Sequence, residues 1–119
     1  MTRIQNTMID LDPKYLKEIL RILDRCVPGV EVRVFGSRVT GRARKYSDLD
    51  LALVADDKLD WRRVEALKDA FAESDLPFIV DILDLNAVSE GFRNVVAADY
   101  EIIRGNREGV DSDGRGARV

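Results

Sequence analysis

The apolar positions of this chain change their period several times, and each change marks an element. From Pro13 to Cys26 the residues Leu16, Ile19, Leu20 and Leu23, followed by Val27, recur at helical spacing. Asp12-Pro13 supplies an N-cap and then a proline suited to the first helical position, and Pro28-Gly29 stops the helix. From Val30 to Phe35 the period becomes two, with Glu31 and Arg33 alternating against Val32 and Val34, which predicts a strand. Gly36 to Ser47 reads as a loop, part of which could form a short helix from Ser37. Asp48 to Ala55 predicts a second strand, nearly all apolar after its aspartates, as expected of burial on both faces. Asp60 can cap a helix in which Trp61, Val64, Leu67, Lys68 and Phe71 share one side. Pro77 precedes a third strand, Phe78 to Leu83. Ser89 or Asn86 can start a last helix that runs to about Ala98, and Tyr100 to Ile103 reads as a short final strand.

This order predicts one α/β (α+β) domain over residues 1–104, a small mixed β-sheet flanked by helices. A chain of 119 residues suits a single domain of that kind. The segment "GNREGVDSDGRGARV", residues 105–119, is rich in glycine with balanced charge and is expected to be a mobile tail, with a partner-binding arm as the alternative.

Composition narrows the chemistry. The net charge is -3, so no global basic field draws the chain to nucleic acid, although a local basic patch stays open. The absence of histidine excludes His-activated nucleophiles and every His-containing zinc site. A metal site must then use oxygen ligands, which points to hard cations such as magnesium. Cys26, the one cysteine, reads as a small buried hydrophobe and points to a reducing compartment. No apolar run approaches the ~20 residues of a membrane span, and "MTRIQNTMID" lacks the apolar core of a signal peptide, so a cytoplasmic protein is expected.

Against this background "VRVFGSRVTGRARKYSDLDLALVADD" stands out. Asp48 and Asp50 would share one face of a strand, roughly 7 Å apart at Cα, while Leu49, Leu51 and Leu53 point into a core. Two ionised carboxylates so placed repel, and by themselves read as a solvated strand end. Asp81, inside the otherwise apolar "FIVDILDL", changes that reading. An unpaired charge there would cost several kcal/mol or force protonation. If its strand neighbours the second, the three acids form one cluster, which two divalent cations would neutralise. Gly36 permits a tight turn and close ligand approach, and the Ser37 hydroxyl with free N–H groups can bind an anion. Arg38, Arg42, Arg44 and Lys45 follow with no acid between Gly36 and Ser47, suiting a polyanionic substrate or, more simply, a solvated loop.

Gly-Ser, ten residues, Asp-x-Asp and a later strand Asp together resemble the signature of the nucleotidyltransferase superfamily related to DNA polymerase beta. Within it, "FGSRVTGRARKYSDLDLALV" is similar to the wording of the minimal (MNT-type) nucleotidyltransferases, and the likeness covers about Leu11 to Arg104. Val39-Thr40 departs from the commoner small-basic pair. The resemblance implies a polymerase beta-like fold and magnesium-dependent transfer of a nucleotidyl group from ATP. It implies that Asp48, Asp50 and Asp81 hold two Mg2+ ions, that Asp81 also helps deprotonate the acceptor, and that Gly36 and Ser37 hold the terminal phosphates. Arg38 and Arg42 would offset charge on the departing pyrophosphate. It further implies an antitoxin that transfers AMP to a tyrosine hydroxyl of a partner HEPN-domain toxin. The alternatives are a stoichiometric binding module without catalysis, or transfer to RNA or a small molecule.

Overall fold

The computed structural model describes residues 9–41 and 47–105. Arg42, Arg44, Lys45 and, apart from Gly105, the expected tail lie outside the described residues.

Helix α1 spans Pro13–Cys26. The Asp12 carboxylate accepts from the Lys14 N–H at 2.9 Å and Pro13, which has no N–H, opens the first turn, so two of the four orphan-donor positions of a helix start are met locally. Strand β1 follows at Glu31–Phe35, then a short helix α2 at Ser37–Thr40 and strand β2 at Leu49–Val54. Helix α3, Trp61–Ala72, starts from the Asp60 cap, whose carboxylate accepts from the Arg62 N–H at 2.9 Å. Strand β3, Val80–Asp84, helix α4, Glu90–Ala98, and strand β4, Tyr100–Arg104, complete the chain order. Ser89, not Asn86, caps α4.

The four strands form one sheet in the order β3-β2-β1-β4. β1 pairs antiparallel with β2 and with β4, while β2 and β3 run parallel, joined through α3. The expected mixed sheet is therefore present, and the acid-bearing strands are neighbours.

Strand side chains alternate faces, so each face of the sheet has its own cover. On one face Val32, Val34, Leu49, Leu51, Leu53 and Ile82 meet Ile19, Ile22 and Leu23 of α1 and Leu67 and Phe71 of α3. Burying a Leu or Ile side chain stabilises by roughly 1.5–3 kcal/mol, so this layer dominates the fold. On the other face Phe35, Ala52 and Leu85 pack against Val96 of α4, and Phe92 meets Phe35 edge-on at 6.1 Å. β2 is thus buried on both faces, as its apolar run predicts.

Two expectations need correction. Trp61 is 69% exposed and Lys68 is also exposed, so the buried side of α3 is carried by Leu67 and Phe71, with Val64 half-buried. The third strand starts at Val80 rather than Phe78, because Phe78 packs against Tyr15 and Arg38 instead of joining the ladder.

Candidate active site

The acidic residues gather at the end of the sheet where β1 finishes and β2 and β3 begin. Asp48 precedes β2, and Asp50 is its second residue. In the parallel register Asp50 stands opposite Asp81, the second residue of β3. In the antiparallel register it stands opposite Phe35, the last residue of β1, with Gly36 next in the chain.

Gly36 fits this corner for a measurable reason. Its φ of +82° and ψ of -155° belong to a region that side chains avoid. A Cβ built there would stand 2.2 Å from Asp50 Oδ2. The turn after β1 therefore lies directly against the Asp50 carboxylate. Ser37 follows as the first residue of α2, and the Gly36 carbonyl accepts from the Val39 and Thr40 N–H groups.

Electrostatics tie the three carboxylates together. Burial pushes the Asp50 carboxyl above its ordinary value, and the nearby charges of Asp81 and Asp48 push it further the same way. Asp48 and Asp81 themselves are exposed. The buried acid of β3 is Asp84, at 7% exposure, rather than Asp81. The Asp84 carboxylate accepts from the Leu59 N–H at 2.7 Å and the Asn86 N–H at 2.8 Å, tying β3 to the approach to α3. The apolar run singled out Asp81 as a buried charge. In the structure that buried charge is Asp84, and Asp81 is the solvent-facing member of the cluster.

Among the described residues no three acidic or sulfur side chains are already closed around a metal position. Like charges alone give carboxylates no reason to converge. The donor set is oxygen only, and a cation beside Asp50 would offset both the burial and the repulsion that push its carboxyl upward, so the chemistry of these residues suits a hard divalent ion.

Arg38 is placed otherwise than expected. Its side chain does not extend into solvent toward a phosphate: the residue is 5% exposed. Its guanidinium donates to the Ser47 carbonyl from Nε at 3.1 Å and from the second terminal nitrogen at 2.8 Å. The first terminal nitrogen donates to the Asp10 carbonyl at 2.8 Å, and the group lies 4.4 Å from the Phe78 ring centroid. Charge pattern alone gave no signal for these contacts, because they are made to backbone carbonyls and to a ring rather than to charged groups.

A cavity of about 560 Å³ opens beside Asp48, lined by Phe71, Leu76, Phe78, Ile79 and Lys68 among others.

A family model for the polymerase beta nucleotidyltransferases matches residues 17–108. The chain belongs to the polymerase beta nucleotidyltransferase family. Membership in this nucleotidyltransferase family makes a nucleotide its substrate class and agrees with the mixed four-stranded sheet. Within the family the chain is 43% identical over 103 residues to the probable protein adenylyltransferase MntA of Haemophilus influenzae, covering 87% of this chain and 90% of the relative. Among solved structures, a toxin–antitoxin with AMP-PNP matches with a TM-score of 0.57 and 28% identity, over 78% of this chain and 75% of that one. An MNT antitoxin in complex with the tri-AMPylated HEPN toxin of Shewanella oneidensis matches with a TM-score of 0.50 and 27% identity, over 76% of this chain and 69% of the matched chain.

Proposed function

We propose that this nucleotidyltransferase transfers AMP from ATP to a hydroxyl, a tyrosine in the leading case, of a HEPN-domain toxin and thereby acts as its antitoxin. The observation that carries the proposal is the juxtaposition of Asp50 with Asp81 across two parallel strands, with Asp48 in the same field and Gly36 against Asp50. A module that only binds its partner has no physical need for such a cluster. The similarity to MntA and to toxin–antitoxin structures supports the choice of acceptor.

Asp48, Asp50 and Asp81 would hold Mg2+, in two sites. When bound, the ions neutralise the triphosphate and the charge that grows on the entering and leaving oxygens of an in-line displacement. Gly36 lets the turn after β1 lie directly against Asp50, and the Ser37 hydroxyl would hold the terminal phosphates. Asp81, exposed on the edge strand β3, is open to an incoming acceptor and would take the proton from its hydroxyl. The acceptor oxygen then bonds to the α-phosphorus, the bond from that phosphorus to the bridging oxygen breaks, and pyrophosphate departs. The place of action is the cytoplasm, where ATP is available. Among the described residues no helix is long and apolar enough to cross a membrane.

The test is incubation of the full chain with labelled ATP, magnesium and the neighbouring gene product. Label is expected on the partner with the wild type and not with Asp48→Asn. Absence of transfer, together with equal neutralisation of the partner by wild type and Asp48→Asn, would replace catalysis by stoichiometric binding.

A further inference from the structure

We infer that Arg38 is a positioning residue for the metal-binding carboxylates, acting through the Ser47 carbonyl, and not a ligand of the nucleotide phosphates. The inference rests on the reading of Asp48, Asp50 and Asp81 given above. Arg38 occupies the second position of α2, yet its guanidinium reaches three segments distant in sequence. Two of its nitrogens converge on the carbonyl of Ser47, the residue immediately before Asp48. A third donates to the Asp10 carbonyl, and the Asp10 N–H donates back to the Arg38 carbonyl at 2.7 Å. The guanidinium carbon lies over the ring of Phe78, two residues before β3 and three before Asp81. One buried cation thus fixes the backbone on the approach to Asp48 and packs against the approach to Asp81.

The chemistry of the group suits that task. A guanidinium is planar, permanently charged and presents several donors in a fixed fork, so it can hold two carbonyls and a ring together. An ammonium in its place keeps the charge but not the fork. Asp48 lies outside the ladder, ahead of the first residue of β2, so sheet pairing alone does not fix it. At 5% exposure Arg38 offers little surface to a phosphate, whereas a change in the Ser47 backbone is passed on at once to its neighbour.

The test uses the full chain and reads metal binding without nucleotide. Mn2+ binding, followed by electron paramagnetic resonance, is compared for wild type, Arg38→Lys, Phe78→Leu and Asp48→Asn, with folding checked by circular dichroism. Loss of an outer-shell partner commonly weakens metal affinity by about 10–100-fold. Arg38→Lys is therefore expected to bind Mn2+ at least about tenfold more weakly. Phe78→Leu, which removes only the ring, is expected to shift affinity in the same direction by less. At saturating metal, Arg38→Lys should lower kcat while leaving KM for ATP within about twofold, since no phosphate contact is lost. The opposite split, unchanged Mn2+ affinity with a raised KM for ATP, would overturn the positioning role and make Arg38 a phosphate ligand. If Arg38→Lys does not fold, unchanged Mn2+ affinity in folded Phe78→Leu overturns it equally. A wild type that binds no Mn2+, or an Asp48→Asn variant that binds as tightly, would sink the carboxylate reading itself, an outcome distinct from failure of the Arg38 role.

Discussion

The Cα of Gly36 lies so close to Asp50 that a single added carbon would stand 2.2 Å from the carboxylate oxygen. The contact joins the turn after β1 to the acid of β2, and it turns a residue with no side chain into a determinant of the site.

Gly36→Ala therefore meets two penalties, the backbone conformation at φ +82° and the clash with Asp50. The first costs on the order of 1–3 kcal/mol in stability. The second is relieved only by moving the carboxylate, and a displacement of about 1 Å in such a site can lower the rate about 100-fold. Adenylyl transfer should fall by that order while the variant remains folded, as read by labelled transfer beside circular dichroism. A variant with full activity would show that Asp50 need not sit where it does.

Asp50→Asn should stabilise the metal-free protein near neutral pH. The folded chain holds the Asp50 proton more tightly than the unfolded chain, whose value is near 3.8. Folding then binds protons as pH crosses the window above that value, so wild-type stability falls as pH rises through it and stays lower above it. Asparagine has no charge to desolvate. The Tm of the variant should exceed that of wild type at pH 7 in chelator, and the gap should close as the solution is made acidic. Added magnesium should raise the Tm of wild type more than that of the variant.

Asp84→Ala removes the acceptor for the Leu59 and Asn86 N–H groups inside a buried corner. A loss of about 2 kcal/mol is expected, because hydrogen bonds to a charged acceptor are worth about 1.5–3 kcal/mol. Urea denaturation gives the value directly. Mn2+ affinity should stay within about twofold, since Asp84 belongs to the opposite end of β3 from Asp81.

Arg104→Lys tests the seam between the last strand and the first helix. Arg104 donates to the Val27 and Val30 carbonyls and pairs with Asp24 at 2.8 Å, its side chain 8% exposed. Lysine keeps the charge but not the fork, so about 1–3 kcal/mol should be lost. The shift of the urea midpoint at constant slope measures it, and no shift would mean that water or the lysine replaces the lost bonds.

Most of this architecture is legible where local chemistry and tertiary context agree. α1 runs over its expected residues because Asp12-Pro13 and Pro28-Gly29 mark both ends by short-range physics. β2 is recognisable because a central strand is apolar throughout. Misreadings arise where a distant neighbour decides. Asp81 and Asp84 look alike in sequence, and their different burial depends on which face of an edge strand has cover. Trp61 shares the helical spacing of Leu67 and Phe71 but starts its helix beyond the reach of the core. Arg38 sits among other cations in sequence, yet its partners Asp10, Ser47 and Phe78 come from segments up to 40 positions away. The Asp48–Asp50 pair was legible because its two-residue spacing puts both on one face of a strand, whereas Asp81 comes opposite Asp50 only through the long-range pairing of β2 with β3.

The parallel pairing of β2 with β3 has a temporal consequence. Asp48 and Asp50 can meet Gly36 as soon as the local β1–β2 hairpin zips, but Asp81 arrives only after the chain has left the sheet, formed α3 and returned. Closing that longer excursion has an entropic cost that local contacts do not bear. A nascent or half-folded chain therefore carries two of the three acids without the third. On the proposed roles of the three acids, competence for transfer then requires the whole sheet to be assembled.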